Sequence, residues 1–390
     1  MLPQELTDKI LDCLYDDKPS LGQCSLVCWA WVPATRFHIF RDITLRRRWG
    51  RVMHPQFRVF LDMLAADSCT LAPFVVHLTL EDLDPTPEAG REITQAFSAL
   101  SRLTSVASLT FDRWQNLGVQ PLHNLLPRLT ALSELTFTRV MVDSATQLFN
   151  MLEMCPSLTS LAIVSVSWGP SPSPGFYSYA GSIRTLRLAG CPMDEFLGIF
   201  APLNSPLQLA CKSVEIRGIA PEYIPSICRL LNSIAQSLQH LTIDFTHDDP
   251  GESPASKAEE LLFKHLDLRK HMRLTSFRVD DIDDSDRPSA ILYAIQCALR
   301  SPHLEELVFS LTVQSEMQLR TKLQWEQIDD ILSSRSSRLD SFQVLVSLGQ
   351  GKFRVGRWHW DGYYDDTEIF TTLLPRCHAR NMLIFSPGTR

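Results

Sequence analysis

Most of the chain repeats one arrangement of apolar and polar residues. An apolar residue precedes two mostly polar residues and then an apolar–polar–apolar triplet, whose alternation is typical of a half-buried β-strand. The arrangement occurs in VVHLTL (75–80), VASLTF (106–111), LSELTF (132–137), LTSLAI (158–163), IRTLRL (183–188), CKSVEI (211–216), LQHLTI (238–243), LTSFRV (274–279), LEELVF (304–309) and LDSFQV (339–344). Ten copies at intervals of 25 to 36 residues predict a chain built from one repeated unit.

Helical patterns occupy several of the intervals between these strands. They are EITQAFSALSRL (92–103), SATQLFNMLEMC (144–155), IPSICRLLNSIAQS (224–237) and SAILYAIQCALRS (289–301). Proline follows two of them, at Pro156 and Pro302, which is typical of a helix end. Each unit is therefore predicted to be a strand followed by a helix.

Strand–helix units of this length resemble leucine-rich repeats over residues 70–346. The resemblance implies an α/β fold, a curved β-α solenoid with a parallel sheet on its concave face. The position that usually holds Asn in such repeats holds Leu83, Trp114, Val140, Val166, Cys191, Ile219, Thr246, Ile282 and Thr312, so we expect an irregular solenoid. A doubly wound α/β domain is the alternative fold, but it does not explain ten copies of one motif.

The first 45 residues have a different pattern. Leu2, Leu6, Ile10, Leu11 and Leu14 recur at helical spacing, and Asp16–Pro19 ends that helix. A second helix is predicted in LGQCSLVCWAW with Ser20 as its N-cap, and a third in PATRFHIFRD. Three short helices form a marginal bundle that needs further burial against another part of the chain or another protein.

This segment resembles an F-box of the fungal type, through Leu2-Pro3-x-Glu5-Leu6, Ile10-Leu11-x-x-Leu14, Ser20-Leu21, CSLVCWAW and Phe40. The resemblance implies docking onto a Skp-type adaptor and, through it, onto a cullin-RING ubiquitin ligase. The residues expected to bind the adaptor are Leu2, Pro3, Leu6, Ile10, Leu11, Leu14, Leu21, Val27 and Trp31. The alternative is that these helices only cap the repeats.

The predicted organisation has four parts: a three-helix F-box-like segment (1–45), a helical linker (46–69), the solenoid (70–346) and a C-terminal capping segment (347–390). In the capping segment we predict a loop, a helix near 366–376 and a last strand. The basic cluster of Arg46, Arg47, Arg48 and Arg51 at the first junction could contact phosphate, although a solvated helix face is the favoured interpretation.

Composition restricts the function. The net charge of −7 and the pI near 5.9 argue against general nucleic-acid binding. The sequence has no apolar run of about 18 residues, so it predicts no membrane span. The ten cysteines form no Cys-x-x-Cys pair, which favours free thiols in the cytoplasm or nucleus. Cys24 and Cys28 share a helix face, but nothing nearby completes a metal site, and no cofactor is expected.

Catalytic motifs are also missing from the sequence. The glycines of GQGKFRVG have the wrong spacing for a kinase loop, His359 lies isolated between two tryptophans, and Cys377 next to His378 has no orienting group. We therefore expect a binding protein without catalysis of its own.

The substrate surface is predicted on the outward positions of the strands, where side chains point away from the helices. Its candidate residues are Arg187, Glu215, Arg217, Asp244, Arg278, Asp280, Trp358 and Trp360. The three arginines could pair with acidic or phosphorylated groups of a protein substrate, whose identity the sequence does not give. A solvated β-surface with internal charge pairs is the alternative.

Overall fold

The computed structural model describes residues 3–46, 55–82, 90–114, 119–169, 182–192, 210–245, 255–283, 289–313, 320, 323–335, 339, 341–348 and 371–380. The chain divides into two compact units, Met1–Ile183 and Arg184–Arg390. Within the described ranges, no helix has the length and apolar character needed to cross a membrane.

The first unit begins with a helical head, which we define as residues 3–41. Its α-helices are Gln4–Asp12, Lys18–Cys24 and Val32–Phe40, with a 3₁₀ turn at Trp29–Trp31. Both earlier helices pack against Val32–Phe40. The N-cap of the second helix is Asp17, not Ser20 as the sequence predicted, because the Asp17 carboxylate accepts from the backbone N–H of Ser20 at 3.1 Å.

Five parallel strands follow in the first unit, in chain order. They are β1 (Asp42–Arg46), β2 (His77–Glu81), β3 (Ser108–Asp112), β4 (Glu134–Thr138) and β6 (Ser160–Val164); a short second ladder pairs β5 (Met141–Val142) with β7 (Ser167–Trp168). The α-helices between these strands are Pro55–Ala65, Gly90–Leu100, Val119–Leu125 and Ala145–Glu153. Leu78, Leu109, Leu135 and Leu161 are paired in register, as the sequence repeat predicts.

β1 was not predicted. The third head helix was expected to run through Asp42, but it ends at Phe40, and Asp42–Arg46 pairs in parallel with β2. Ile43-Thr44-Leu45 is a further apolar–polar–apolar triplet, and Leu45 is buried. An apolar run before it, in RFHIF, hides the change from helical to strand periodicity.

The second unit contains six parallel strands in chain order. They are β8 (Thr185–Ala189), β9 (Ser213–Arg217), β10 (His240–Asp244), β11 (Ser276–Asp283), β12 (Glu306–Val313) and β13 (Ser341–Leu348). The α-helices are Ile224–Ser233, Ala255–His265, Ser289–Ala298, Trp325–Arg335 and Pro375–Ala379. The central positions 186, 214, 241, 277, 307 and 342 are paired in register.

All ten predicted strands are therefore confirmed, in a leucine-rich-repeat-like β-α arrangement. A doubly wound sheet would reverse its strand order at a switch point, whereas the strands within each unit follow chain order. A helix follows most strands, and its apolar face covers one side of the sheet.

The residue after each of six strands adopts a left-handed conformation. These residues are Asp82, Arg113, Arg139, Ser165, Gly190 and Gly218, with φ between 51° and 64°. Several of their N–H groups extend the ladder by one bond; for example, Arg113 N donates to Thr138 O at 2.9 Å. The next residue then turns inward, so the side chains at the position that usually holds Asn are buried. They are Trp114, Val140, Val166, Cys191 and Ile219.

Trp114 supplies a polar bond at this position as well as apolar volume. Its indole N–H donates to the buried Leu80 carbonyl at 2.9 Å, and its ring meets Phe111 edge-on at a centroid distance of 5.2 Å. The indole is a side-chain donor to a carbonyl that also belongs to the β2–β3 ladder. Apolar residues therefore occupy the place of the Asn ladder of regular leucine-rich repeats, and at one repeat an indole donates to a strand carbonyl.

The described part of the C-terminal segment is anchored by Asp329, whose side chain is buried. The Asp329 carboxylate accepts from the backbone N–H groups of Arg376 at 3.0 Å and Cys377 at 2.9 Å. It thereby caps the helix Pro375–Ala379 from the helix Trp325–Arg335. The loop, residues 366–370 of the predicted helix and the last strand lie outside the described residues, whereas residues 371–373 of that helix are helical.

We predict that Trp114→Phe lowers the free energy of unfolding by about 0.5–1.5 kcal/mol, because it removes the indole hydrogen bond to the buried Leu80 carbonyl. Urea denaturation measures the effect. The matched control is Trp29→Phe, since the Trp29 side chain is 88% exposed and the same substitution there removes no buried bond. Equal stability of the two variants would contradict the assigned role of Trp114.

His271 makes the second unit sensitive to acid. Burial lowers the pKa of its imidazole below the usual 6.5, although its bond to the Leu231 carbonyl at 3.1 Å opposes this shift. As pH falls, the unfolded chain therefore binds the proton first. The stability contributed by neutral His271 is present above about pH 6.5 and is lost as pH falls toward the folded-state pKa.

We expect His271→Gln to flatten the decrease in unfolding free energy between about pH 7.5 and pH 5.5, as measured by urea denaturation at each pH. His303→Gln is the control, because His303 is exposed in the same unit. If His271→Gln kept the same pH dependence of unfolding free energy, His271 would not be the source of the acid sensitivity.

Candidate protein-binding surfaces

The head exposes most of the large hydrophobic side chains that face solvent. Seven of the twelve such side chains in the described residues belong to it: Leu6, Ile10, Tyr15, Leu26, Val27, Trp29 and Phe37. Leu26 is 80% exposed and Trp29 is 88% exposed. Apolar surface concentrated in so few residues marks an interaction site.

The structure separates the residues predicted to bind the adaptor into two groups. Leu11 and Leu21 are fully buried in helices that pack against Val32–Phe40, so they belong to the core of the head. The others are exposed (Pro3, Leu6, Ile10, Val27) or half-buried (Leu14, Trp31), and Leu2 lies outside the described residues.

Sequence reasoning missed four exposed apolar residues of the head: Tyr15, Leu26, Trp29 and Phe37. Helical periodicity did not separate core from surface, since it grouped the exposed Leu6 and Ile10 with the buried Leu11. Tyr15 and Leu26 lie in turns, which a helical pattern does not cover. Their large apolar side chains at otherwise polar positions were the available signal.

The six predicted surface residues of β8–β11 form two sets of ion pairs in the second unit. Arg187 lies 3.3 Å from Glu215, which also contacts Arg217 closely. Arg217 lies 3.5 Å from Asp244, and Arg278 makes two 2.8 Å bonds to Asp280. The structure brings these residues together on one face, while Trp358 and Trp360 lie outside the described residues.

The acids of this face lie beneath the arginines. The side chains of Arg187, Arg217 and Arg278 are 39–44% exposed, whereas those of Glu215, Asp244 and Asp280 are 6–26% exposed. Burial raises the pKa of Asp280, and the neighbouring Asp244 adds to this shift while Arg278 opposes it. A partner that approaches the face therefore meets guanidinium groups first.

A similar charged cluster in the first unit was not predicted as a site. It comprises Arg46, Glu81, Asp82, Asp112, Arg113 and Arg139. Arg46 lies 3.3 Å from Glu81, and Arg139 holds both Asp112 oxygens at 2.8 and 2.9 Å. Between these pairs, Arg113 contacts Glu81, Asp82 and Asp112. The sequence signal for this cluster was that several strands are followed directly by a charged residue. Because the strands are parallel, their ends lie at the same edge of the sheet, and so do these residues.

A row of threonines runs beside this cluster. Thr44, Thr79, Thr110 and Thr136 are paired in register across β1–β4. Adjacent members therefore lie about 4.8 Å apart on the face away from the helices. The row presents hydroxyl groups without charge beside the charged strand ends.

The described residues offer little for catalysis or small ligands. No group of three or more His, Cys, Asp or Glu residues in these ranges is placed to hold a metal ion. Burial raises the pKa of Cys155, Cys191 and Cys211 to about 12, so these thiols stay protonated near neutral pH. A pocket of about 210 Å³ beside Arg300 is smaller than typical small-ligand sites.

No protein-family model matches the chain, and no curated protein sequence matches it. Among solved structures, the chain is similar to the leucine-rich-repeat-containing protein LegL7 of Legionella pneumophila, with 11% identity and a TM-score of 0.35 over 69% of this chain and 90% of that chain. A leucine-rich-repeat protein of Leptospira interrogans has 12% identity and a TM-score of 0.17 over 81% of this chain and 91% of that chain. These likenesses are too low to carry an argument, and the fold assignment depends on the strand register.

We predict that Glu215→Gln lowers the free energy of unfolding by about 1 kcal/mol, because Arg187 and Arg217 lose their shared carboxylate at a partly exposed site. Urea denaturation measures the change. Glu305→Gln is the control, since Glu305 is exposed in the same unit. Equal effects of the two substitutions would show that the ion pairs do not support the sheet face.

Proposed function

We propose that the chain is the substrate-recognition subunit of a Skp-cullin-F-box type ubiquitin ligase. In this proposal the head binds the Skp-type adaptor, and the repeats bind a protein substrate. No catalytic residue is assigned to the chain, because the ubiquitin-transfer chemistry belongs to its partners.

The observation that carries the proposal is the exposed apolar face of the head. Trp29, Leu26 and Val27 are 62–88% exposed and adjacent along the chain, and Leu6 and Ile10 lie one helical turn apart. Such surface is stabilised by burial at about 25 cal/mol per Å². The F-box-like spacing in the sequence supports a Skp-type adaptor as the protein that covers this face.

The repeats support the second part of the proposal. Parallel strands present the same positions in adjacent rows, so a broad sheet face with regularly spaced side chains is available to a protein partner. A substrate held there while the head is bound to the ligase meets the ubiquitin-conjugating enzyme at a high effective concentration.

The alternative is an interaction solenoid that does not act in ubiquitin transfer. The repeat architecture and the charged faces favour protein binding equally under both functions. Recovery of the adaptor without cullin and without ubiquitin transfer would favour this alternative over a ligase receptor.

We predict that the double variant Ile10→Asp/Trp29→Ala weakens binding to a purified Skp-type adaptor by about 100-fold or more, because it removes apolar area from the exposed face and introduces a charge there. Biolayer interferometry with the full chain measures the dissociation constant. Both side chains are exposed, so the variant keeps Leu11 and Leu21 as the core of the head.

Val59→Asp is the matched control, because Val59 is 56% exposed on the helix Pro55–Ala65, outside the head. We expect it to bind the adaptor like the unmodified chain. Failure of the unmodified chain to bind the adaptor at micromolar concentration would overturn the proposed function.

A further inference from the structure

The charged cluster of the first unit has its arginines on the outside. The side chains of Arg46, Arg113 and Arg139, called here the arginine triad, are 37–56% exposed. The side chains of Glu81, Asp82 and Asp112 beneath them are 12–31% exposed. Any partner that approaches this edge contacts the guanidinium groups before the carboxylates.

The triad has donor capacity left for a partner. A guanidinium carries five N–H donors, and the acids beneath the triad occupy only part of that set. The nearest approach of Arg46 to Glu81 and Asp82 is through Nε, at 3.3 and 3.9 Å. Arg113 Nε is buried without a hydrogen bond in the described residues, so the exposed part of this side chain, 37% of it, offers only terminal N–H groups to a partner. These two side chains are therefore incompletely bonded at a partly exposed edge.

The charge around the triad also favours an anion. Arg46 and Arg113 share Glu81, and Arg113 and Arg139 share Asp112, so the three cations lie close together. Loss of hydration and repulsion from Arg139 and Arg46 accordingly lower the pKa of the Arg113 guanidinium. The sequence continues after β1 as RRRWGR over residues 46–51, with four arginines and no acid. A negatively charged group near Arg46 would relieve this repulsion.

Two members of the triad follow their strands in a left-handed conformation. Arg113 and Arg139 have φ values of 57° and 52°, which is unfavourable for residues with a side chain. Asp82 and Ser165 adopt the same conformation after β2 and β6, so the ion pairs of Arg113 and Arg139 offset a cost that several repeats share.

We propose that the arginine triad binds successive carboxylates of an acidic segment of a protein partner. This inference rests on the proposed function, because it names the chemistry of the substrate that the repeats would hold. Each carboxylate accepts from the outer N–H groups of one guanidinium, while Glu81, Asp82 and Asp112 hold the arginines from beneath.

The arrangement favours separate carboxylates over a single phosphate or a nucleic acid. The strand ends that carry the triad span three strand spacings, or about 14 Å, which matches several residues of an extended acidic segment. A dianionic group would also lie close to the three acids of the cluster. A nucleic acid would be repelled by the net charge of −7.

The test uses the full chain and a fluorescein-labelled peptide of alternating Glu and Ser, with fluorescence anisotropy as the readout. We expect saturable binding that weakens as salt is raised. The same peptide with Gln in place of Glu should show no saturable binding. Failure of the Glu peptide to bind would overturn the inference.

The double variant Arg46→Gln/Arg139→Gln should raise the dissociation constant for the Glu peptide by at least about tenfold, corresponding to the loss of charge-assisted bonds. The matched control Arg58→Gln/Arg128→Gln removes two exposed arginines from the helical segments of the same unit and should change it less than about twofold. Circular dichroism establishes that both variants are folded. Equal loss of affinity in the two variants would show that binding depends only on the net charge of the chain, and it would overturn the proposed site.

A labelled peptide with one phosphoserine among neutral residues completes the experiment. Tighter binding of this peptide than of the Glu peptide would overturn the carboxylate assignment. Adaptor binding by Arg46→Gln/Arg139→Gln, measured separately, distinguishes the two proposals: failure of peptide binding with intact adaptor binding overturns only this inference. Loss of adaptor binding in the unmodified chain overturns the proposed function.

Discussion

The architecture of both units depends on the hydrogen-bond register between parallel neighbouring strands. Each strand leaves one edge of N–H and C=O groups that only the next repeat can satisfy, and the N–H of a left-handed residue extends this pairing beyond several of the strands. Because adjacent repeats pair in register, the same repeat position reaches the same row. Leu78, Leu109 and Leu135 thus align in the core, and Thr79, Thr110 and Thr136 align on the opposite face.

The same register explains why charged residues accumulate in neutral clusters. Direct neighbours across strands, such as Arg46 with Glu81 and Arg187 with Glu215, carry opposite charges and form ion pairs. In each unit, described by itself, the shorter acids lie beneath the longer arginines. The clusters therefore stabilise the sheet face and still present donors to a partner, which makes these strand ends suitable for recognition at short range.

The head follows a different physical logic from the repeats. Its helices are seven to nine residues long, and their mutual packing buries Leu11 and Leu21 but leaves Trp29 and Leu26 in solvent. A bundle this small cannot cover its own apolar surface. The function proposed for the chain assigns that exposed surface to an adaptor and the sheet faces to a substrate, so the two binding roles depend on separate parts of the chain.

The sequence by itself determined the ten repeat strands, their inward and outward positions, and the helical nature of the N-terminal segment, because periods of two and 3.6 residues are local properties. It also placed Arg187, Glu215, Arg217, Asp244, Arg278 and Asp280 on one face. Only the tertiary structure decided that Asp42–Arg46 is a strand, that Trp114 bonds Leu80, and which apolar residues of the head stay exposed. It likewise revealed the triad of Arg46, Arg113 and Arg139. Each of these features depends on contacts between residues distant in the chain, and a local pattern does not specify which distant groups meet.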